Sequence, residues 1–428
     1  MTDWIVHAPL VIRPDPSRTV IRPFRLEDPD GFVVTGASRS QRIAERVLAL
    51  TSEAVEEALK DILTKLGMRH DDVETELIAR SHSVDDLEIA HTIDNTRMML
   101  IGAYFSEEFS FESAALFNPS VVRHPDQDNV PPGALRFFMT LRGIGEGHLS
   151  SVTFRSGLWA ADGAISIDPP SRRAHGPAVQ SHTTDTGERA INLDCYRIRD
   201  IADAVIFPFL PSQGLGIEDV RMVEFTEEDG VRDYRGTYTS FSGSRVREVL
   251  FRTPDFKSIL LRGVEGPWAH SKGMALFPRR INGRYAMLGR QDNESIWLLT
   301  SDDFYTWNGG AKLIQPRFAW EFVLMGNCGS PIEIDEGWLV LTHGVGAVRT
   351  YAIGACLLDK NDPSRVLART ARPILEPSVD DRDGYVPNVV YSCGGIVRGR
   401  TMLLPYGVAD NFTKFVTIEL EGLLAAMS

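Results

Sequence analysis

The sequence predicts an all-β protein, a five-bladed β-propeller preceded by an α-helical N-terminal extension. About three hundred of the 428 residues form short apolar segments rich in Val, Ile, Phe, Tyr and Trp. Turn formers (Gly, Pro, Asp and Asn) separate these segments, which is the pattern of strands in an antiparallel sheet. A unit of about four such strands recurs five times, and this is the organisation of a small propeller.

The repeat is clearest in the middle of the chain. The segment RMVEF…YRGTYTSF…VLFRTPDF aligns with ALFPRRINGRYAMLGR…IWLLTSDDF, so that Phe256 and Phe304 mark the same point of the unit, 48 residues apart. A spacing of about 40 to 50 residues is typical of propeller blades. An irregular β-sandwich with chance self-similarity is the alternative, but the recurring S/T-x-D-F edge favours the propeller. The polar stretch 160–199 indicates an insertion or long loop between blades.

The N-terminal region has a different pattern. Apolar residues recur at helical spacing from about Ser38 to Arg80. We expect a further helix over 83–99 and a last one over 419–427. The chain therefore divides into an N-terminal segment with a helical accessory region, 1–105, and a five-bladed propeller domain, 106–428.

Composition excludes several classes of function. With 45 Lys and Arg against 58 Asp and Glu, the net charge is −13, which disfavours binding to nucleic acid. No apolar run approaches the roughly 18 residues of a membrane span, and the N-terminus lacks the pattern of a signal peptide. The four cysteines form no CxxC pair, which argues against a disulfide framework and a cysteine zinc site. We expect a cytoplasmic protein without a metal.

Polar residues occur at equivalent points of the five repeats. Inner strands of a propeller converge at the mouth of the central channel, so such residues indicate a ligand site there. The candidates, in chain order, are Asn118 with Arg142, Asp219 with Arg221, His270 and Lys272 with Arg290, Glu333 with His343, and Asp410. Each has an ordinary alternative, such as a strand-start turn, a surface ion pair or a structural histidine. The nucleophile-elbow, zinc-protease and nucleotide-binding motifs GxSxG, HExxH, P-loop and GxGxxG are absent.

Eight segments together carry a resemblance to a known family. They are FNPSVV, GIEDVRMVEF, YTSFSG, HSKGMALFPRRINGRYAMLGRQ, SPIEIDEGWLVLTHGV, IGACLLDKNDPSRVLARTARPIL, VPNVVYSCGG and LPYGVADNF. In order, over about residues 111–417, they resemble glycoside hydrolase family 130, which contains β-mannoside phosphorylases and β-1,2-mannosidases on a five-bladed propeller. The helical N-terminal region lies outside this likeness.

The resemblance implies roles for several residues. Asp219 matches the catalytic aspartate of the family motif E-D-P-R, the proton donor of an inverting reaction, although Val220 replaces the proline. Arg221 follows and would orient that carboxylate. Asn118, Arg142 and Asp410 match residues that hold the sugar in the −1 subsite.

Departures from the family pattern occur where phosphorylases hold phosphate. The family's R-N-K-D-A stretch reads His270 to Met274 here, and its P-P-I-K-T stretch reads Ser330 to Ile334, which puts Glu333 in place of a lysine. Replacing Lys by Glu changes the local charge by about two units and repels phosphate. Such a glutamate is suited to activating a water molecule in inverting hydrolysis.

These departures favour an inverting β-mannosidase acting on short mannose-containing oligosaccharides, without a cofactor. Asp219 is the expected acid and Glu333 the expected base, with Glu321 as second choice; His270, Lys272, Arg290 and His343 would help to bind substrate. A β-mannoside phosphorylase is the alternative, with inorganic phosphate as co-substrate held by Lys272, Arg290 and His343. A sugar-binding propeller without catalysis is an alternative of another class. The N-terminal helices are candidates for a homo-oligomer interface.

Overall fold

A computed structural model describes residues 3–24, 26, 36–85, 87, 93–208, 216–241 and 246–428. The chain forms two compact units. The first comprises Met1–Pro16, Phe111–Pro170 and Gly176–Ser428, and the second comprises Ser17–Ser110 and Ser171–His175. The division differs from the sequence-based boundary at residue 105, since residues 1–16 belong to the larger unit and residues 106–110 and 171–175 belong to the smaller one.

The larger unit contains five antiparallel sheets, one per blade, which we number I to V along the chain. Blade I consists, from the channel outward, of Ala115–Arg123, Leu135–Ile144 and Ser150–Trp159, with Ile165–Ile167 and Val205–Ile206 paired to the third strand. Blade II consists of Ile217–Thr226, Arg232–Phe241, Val246–Thr253, Ser258–Gly263, Arg189–Asp194 and Ala178–Thr183. The five-bladed propeller predicted from the sequence is confirmed.

The remaining blades follow the same plan. Blade III consists of Ala275–Leu276, Tyr285–Gly289, Ile296–Ser301 and Gly309–Ile314. Blade IV consists of Leu324–Asn327, Gly337–Val345, Tyr351–Leu358 and Val366–Arg369, with Ile332–Ile334 paired to the second strand. Blade V consists of Val390–Tyr391, Thr401–Val408, Phe412–Glu419 and Ile5–Ile12, with Ile396–Arg398 paired to the second strand.

The internal repeat has a structural basis. Phe256 and Phe304 are both buried and follow the third strand of blades II and III. In each case a hydroxyl at the strand end, on Thr253 or Ser301, accepts a hydrogen bond from the backbone N–H two residues later.

The stretch 160–199 is only in part a loop, since it also supplies the two outermost strands of blade II. Every residue of Ala178–Thr183 is exposed, so that strand has no apolar alternation to reveal it.

The N-terminal strand closes the ring of blades. Ile5–Ile12 pairs with Phe412–Glu419, Ile5 opposite Ile418, and so completes blade V from the other end of the chain. Its aliphatic side chains pack into two apolar clusters of the propeller. No local pattern could reveal this pairing, because the two strands are separated by almost the whole sequence.

The smaller unit contains four helices: α1 (Arg39–Leu48), α2 (Ser52–Gly67), α3 (Val73–His82) and α4 (Asn95–Tyr104). A strand pair, Thr19–Pro23 with Ser106–Ser110, accompanies them. The helix expected over 83–99 begins instead at Asn95, where the Asp94 side chain caps it, and part of that segment lies outside the described residues. A short helix α5 (Leu420–Ala425) ends the propeller unit, as predicted. None of the described helices has the length and apolar character to cross a membrane.

Deletion of residues 1–12 is expected to lower the stability of the propeller strongly. Five aliphatic side chains of the closing strand are buried in part, and each contributes about 1 kcal/mol, so the free energy of unfolding should fall by about 5 kcal/mol. Chemical denaturation followed by tryptophan fluorescence measures this change. Val6→Thr, a change at an exposed position of the same strand, is the control and should leave the midpoint unchanged. An unchanged midpoint in the deletion variant would contradict the closing role.

Candidate active site

A cavity of about 200 Å³ opens at the centre of the propeller and is lined by residues from all five blades. Eight of the candidate residues named from the sequence line it: Asn118, Arg142, Asp219, Arg221, Lys272, Arg290, His343 and Asp410. Four of these, Arg142, Arg290, His343 and Asp410, lie at or just after the C-terminal end of the second strand of their blade. The equivalent points of the repeats therefore converge on one site.

Irregular backbone on two innermost strands brings Asn118 and Asp219 together. The strand register shifts between Phe117 and Ser120 in blade I, and between Glu218 and Arg221 in blade II. Within these bulges Asn118 has φ 50° and Asp219 has φ 53°. Left-handed backbone costs a non-glycine residue about 1 kcal/mol or more, and such strain is concentrated at functional sites.

The Asp219 carboxylate lies among three polar partners. The Asn118 amide donates to Oδ1 at 2.7 Å, and guanidinium nitrogens of Arg142 and Arg221 each lie 3.8 Å from a carboxylate oxygen. Arg221 is buried and also donates to the Asp219 backbone carbonyl at 2.9 Å and to the Tyr391 hydroxyl at 2.6 Å. Burial raises the pKa of Tyr391 well above its usual value, so this phenol stays neutral and anchors the arginine.

Lys272 is held by the neighbouring carboxylate of Glu218. The lysine Nζ lies 2.8 Å from Oε2 of Glu218, and Arg142 lies 3.4 Å from Oε1. Buried Glu248 fixes the backbone beside the lysine, because its Oε1 accepts hydrogen bonds from the Gly273 N–H and the Thr239 hydroxyl. The backbone next to the lysine is therefore held in place by a buried carboxylate.

His343 and Arg290 form a pair with unfilled hydrogen-bonding capacity. Arg290 Nη1 lies 3.4 Å from His343 Nε2. A guanidinium can only donate, so Nε2 accepts and the ring proton lies on Nδ1. Burial, together with the charges of Arg290 and Arg221, lowers the pKa of His343 well below its usual value, and the ring is neutral at pH 7. Within the described residues, His343 Nδ1 and Arg290 Nε are buried and have no partner.

Asp410 is the second carboxylate facing Asp219. It follows the second strand of blade V, in left-handed backbone with φ 48°. Burial and the nearby charge of Asp219 raise the pKa of Asp410 to about 6, and Arg142 and Arg349 oppose the shift. This carboxyl is therefore partly protonated just below neutral pH.

Comparisons with known proteins agree with this geometry. A family model described as β-1,4-mannooligosaccharide phosphorylase, that of glycoside hydrolase family 130, matches residues 189–428. The chain belongs to glycoside hydrolase family 130. The resemblance noted in the sequence is thereby confirmed.

Curated relatives from two bacteria illustrate the similarity. A 1,2-β-oligomannan phosphorylase of Thermoanaerobacter sp. (strain X514) is 35% identical over 215 residues, 49% of this chain and 70% of that protein. A β-1,2-mannobiose phosphorylase of Listeria innocua is 35% identical over 213 residues, 48% of this chain and 58% of that protein. This chain thus spans less than two thirds of the second relative.

Solved structures share the fold. The β-1,2-mannobiose phosphorylase from Listeria innocua, in complex with β-1,2-mannobiose, aligns with TM-score 0.54 and 23% identity over 74% of this chain and 92% of that chain. A family 130 structure from work on glycoside hydrolases that target β-1,2 mannosidic linkages in Candida mannan aligns with TM-score 0.54 and 18% identity, over 74% and 87%. At these identities the likeness shows the propeller fold alone.

The structure does not bring Glu333 to the family 130 cavity. Its carboxylate makes two contacts of 2.9 Å with Arg279, which lower its pKa, and Lys360 lies 3.6 Å away. Glu333 pairs with Trp338, at the opposite end of the strand that carries His343, so about 17 Å of strand separates them. The assignment of Glu333 as base is therefore corrected, because Glu333 lies at the end of blade IV that faces away from the cavity.

Two further candidates also lie outside the cavity lining. Glu321 is buried, accepts hydrogen bonds from the backbone N–H groups of Arg317 and Phe318, and pairs with Arg369 at 2.6 Å. The Glu321 carboxylate therefore forms a structural ion pair with Arg369 of blade IV. It does not line the cavity and cannot replace Glu333 as the base. His270 is exposed, and only Lys272 and Gly273 of its segment line the cavity.

Sequence reasoning missed several lining residues. The most informative are Glu218, Asn327, Arg349 and Tyr391. Glu218 precedes Asp219 in the sequence, but its ion pair with Lys272 can be recognised only in the folded chain. Arg349 lies in the turn Ala347–Arg349 and has a left-handed backbone with φ 52°. No local sequence pattern predicts that conformation. For metals, the described residues contain no group of three or more His, Cys, Asp or Glu side chains that could hold an ion.

Asp410→Asn is expected to stabilise the folded protein at neutral pH. Because the folded pKa of about 6 is raised above that of an unfolded aspartate, the stabilising contribution of Asp410 is complete below about pH 4 and is lost as pH rises through 6. The variant should gain about 3 kcal/mol at pH 7.5 and little at pH 4, while losing activity. Thermal unfolding at both pH values measures this, with exposed Glu376→Gln as control. Equal gains at both pH values would refute the raised pKa.

Proposed function

We propose that this family 130 enzyme is an inverting β-mannoside phosphorylase. Phosphate attacks C1 of the terminal mannose, the bond from C1 to the leaving sugar oxygen breaks, and that oxygen takes a proton. The products are α-mannose 1-phosphate and a shortened saccharide. Family membership and relatives named as mannoside phosphorylases support the substrate class and the use of phosphate.

The charge of the cavity is the observation that carries the proposal. Five cationic side chains line it (Arg142, Arg221, Lys272, Arg290 and Arg349), against the three carboxylates of Glu218, Asp219 and Asp410. The formal excess is two positive charges, in a chain whose net charge is −13. Such a local excess attracts a dianion and suits inorganic phosphate as the second substrate.

Arg290 and His343 are the proposed centre of the phosphate site. In the described part of the chain, no carboxylate lies within ion-pair distance of Arg290, whose Nη1 instead lies 3.4 Å from His343 Nε2. The neutral ring of His343 lies beside this guanidinium and adds no charge that would offset it. Lys272 supplies a third contact from the adjacent segment. Charge-assisted bonds from several donors are what a phosphate dianion requires.

Asp219 is the proposed proton donor to the leaving sugar, as the family motif implies. Asn118 fixes its carboxyl at 2.7 Å, and Arg142 and Arg221 flank it. The hydrolase expected from the sequence rested on Glu333 as base, and that residue is paired with Arg279 outside the cavity. Without this base, phosphate is the better supported nucleophile.

Product analysis tests the reaction directly. The enzyme is incubated with β-1,2- and β-1,4-mannobiose, with and without inorganic phosphate, and products are identified by anomer-resolved NMR. We expect α-mannose 1-phosphate, formed only when phosphate is present. Free α-mannose formed equally without phosphate would establish an inverting hydrolase instead. Saccharide binding without any product would favour the non-catalytic sugar-binding propeller.

Arg290→Gln is expected to weaken phosphate binding selectively. The KM for phosphate should rise at least about tenfold, because removing one charge-assisted bond costs about 1.5 kcal/mol or more, whereas the KM for mannobiose should change little. Initial rates with each substrate varied in turn separate the two effects. Glu333→Gln is the matched control, since this residue lies outside the cavity, and its activity should remain unchanged. Loss of turnover in Glu333→Gln would restore the hydrolytic base.

A further inference from the structure

The backbone beside Lys272 is hydrogen-bonded to side chains of two neighbouring blades. The N–H of Gly273 donates to Oε1 of Glu248 at 2.9 Å, and its carbonyl accepts from Nδ2 of Asn327, also at 2.9 Å. Glu248 lies on the third strand of blade II, and Asn327 ends the innermost strand of blade IV. Both polar groups of Gly273 are therefore held by buried side chains that are distant in the sequence.

The same segment brings three cations together at the cavity. Gly273 has a left-handed backbone with φ 75°, and a Cβ at this position would lie 3.4 Å from Nη2 of Arg221. On the other side of the lysine, the Ser271 hydroxyl accepts a hydrogen bond from the backbone N–H of Arg290 at 3.1 Å. Lys272 thus lies between a residue that packs on Arg221 and a residue that is bonded to Arg290, and all three cations line the cavity.

The orientation of the Asn327 amide is fixed by two backbone carbonyls. Its Nδ2 lies 2.9 Å from the oxygen of Gly273 and 3.5 Å from that of Gly329. A carbonyl can only accept, so the NH₂ group must face both oxygens. In the sheet, Asn327 is opposite Thr342, the residue before His343. The amide therefore connects the segment beside the lysine with the strands of blade IV that form the His343 side of the cavity.

Neither side chain is explained by stability. Among the described residues, Oδ1 of Asn327 and Oε2 of Glu248 are buried and have no hydrogen-bond partner. Burial also raises the pKa of Glu248, although the charge of Arg221 opposes the shift. Buried polar atoms without a partner lower the stability of a folded protein, and each one in a native structure requires an explanation. The placement of Lys272 provides that explanation for both residues.

We propose that Asn327 and Glu248 are positioning residues of the phosphate site. By holding the Gly273 peptide from both sides, they fix the place of Lys272 relative to Arg290. Charge-assisted bonds to phosphate depend on this geometry, and displacement of a donor by about 1 Å weakens them. The inference rests on the proposed function, which makes Lys272 a phosphate contact.

A double-mutant cycle tests whether Asn327 acts through Lys272. Phosphate-dependent turnover of the wild type is measured first and tests the proposed function separately. Asn327→Ala is then expected to raise the KM for phosphate about fivefold or more, while the KM for mannobiose stays within about twofold. In the Lys272→Met background the same change should have no further effect. Fully additive effects would overturn the positioning role.

Two variants of Glu248 separate hydrogen bonding from charge. Glu248→Gln retains an oxygen that can accept from the Gly273 N–H, so its KM for phosphate should equal that of the wild type. Glu248→Ala removes the acceptor and should raise this KM about fivefold or more. An equal rise in both variants would show that the hydrogen bond to Gly273 is not the cause, and would overturn the proposal for Glu248.

Thr370→Val is the control for a general loss of stability. The buried Thr370 hydroxyl is bonded to the backbone of Ala355 in blade IV and does not line the cavity. The variant should lower the Tm and leave the KM for phosphate unchanged. A rise in this KM as large as that of Asn327→Ala would assign the effect to lost stability. An unchanged KM in Asn327→Ala would overturn the positioning role and leave the phosphorylase function intact.

Discussion

The hydrogen bond from the Asn118 amide to the Asp219 carboxylate joins the innermost strands of two blades, and the organisation of the cavity follows from it. Both residues have left-handed backbone inside strand bulges. The regular pairing of each strand is interrupted there, and one side chain of each strand points into the channel. The packed blades and the closing strand Ile5–Ile12 stabilise these strained positions. A regular ladder would direct these side chains along the pleat and would not bring them together.

Electrostatics then divide the cavity into two sides. On blades III and IV, Arg290 keeps an uncompensated charge and His343 is neutral because burial and two arginines oppose its protonation. On blades I, II and V, the carboxyls of Asp219 and Asp410 lie among arginines and an asparagine. A positively charged side suits an anionic nucleophile, and a carboxyl side suits proton transfer to a leaving oxygen. In the proposed reaction, the nucleophile and the proton donor would therefore lie on different sides of the cavity.

Features that depend on neighbouring residues could be predicted from the sequence, whereas features that depend on distant segments could not. Phe256 and Phe304 revealed the blade repeat because each strand-end turn is determined by neighbouring residues. Asp219 and Arg290 were found because equivalent points of a repeat converge at the channel. Glu333 was misassigned because an alignment of residue types carries no information on which end of a strand reaches the channel. Arg349 and the closing strand Ile5–Ile12 were missed for lack of any local pattern.

By itself, the sequence determined the number of blades, the family and eight of the residues that line the cavity, since these follow from short-range periodicity and from motifs that retain their order. Only the tertiary structure decided which charges remain unpaired. Glu333 is neutralised by Arg279, 54 residues away, whereas among the described residues the side chain of Arg290 pairs with His343, which is neutral. Charged side chains influence one another over several ångströms. Ion pairs between segments that are distant in the sequence therefore decide which side chains of the site keep an unpaired charge. For this reason the argument for phosphate as the proposed nucleophile depends on contacts that only the folded chain contains.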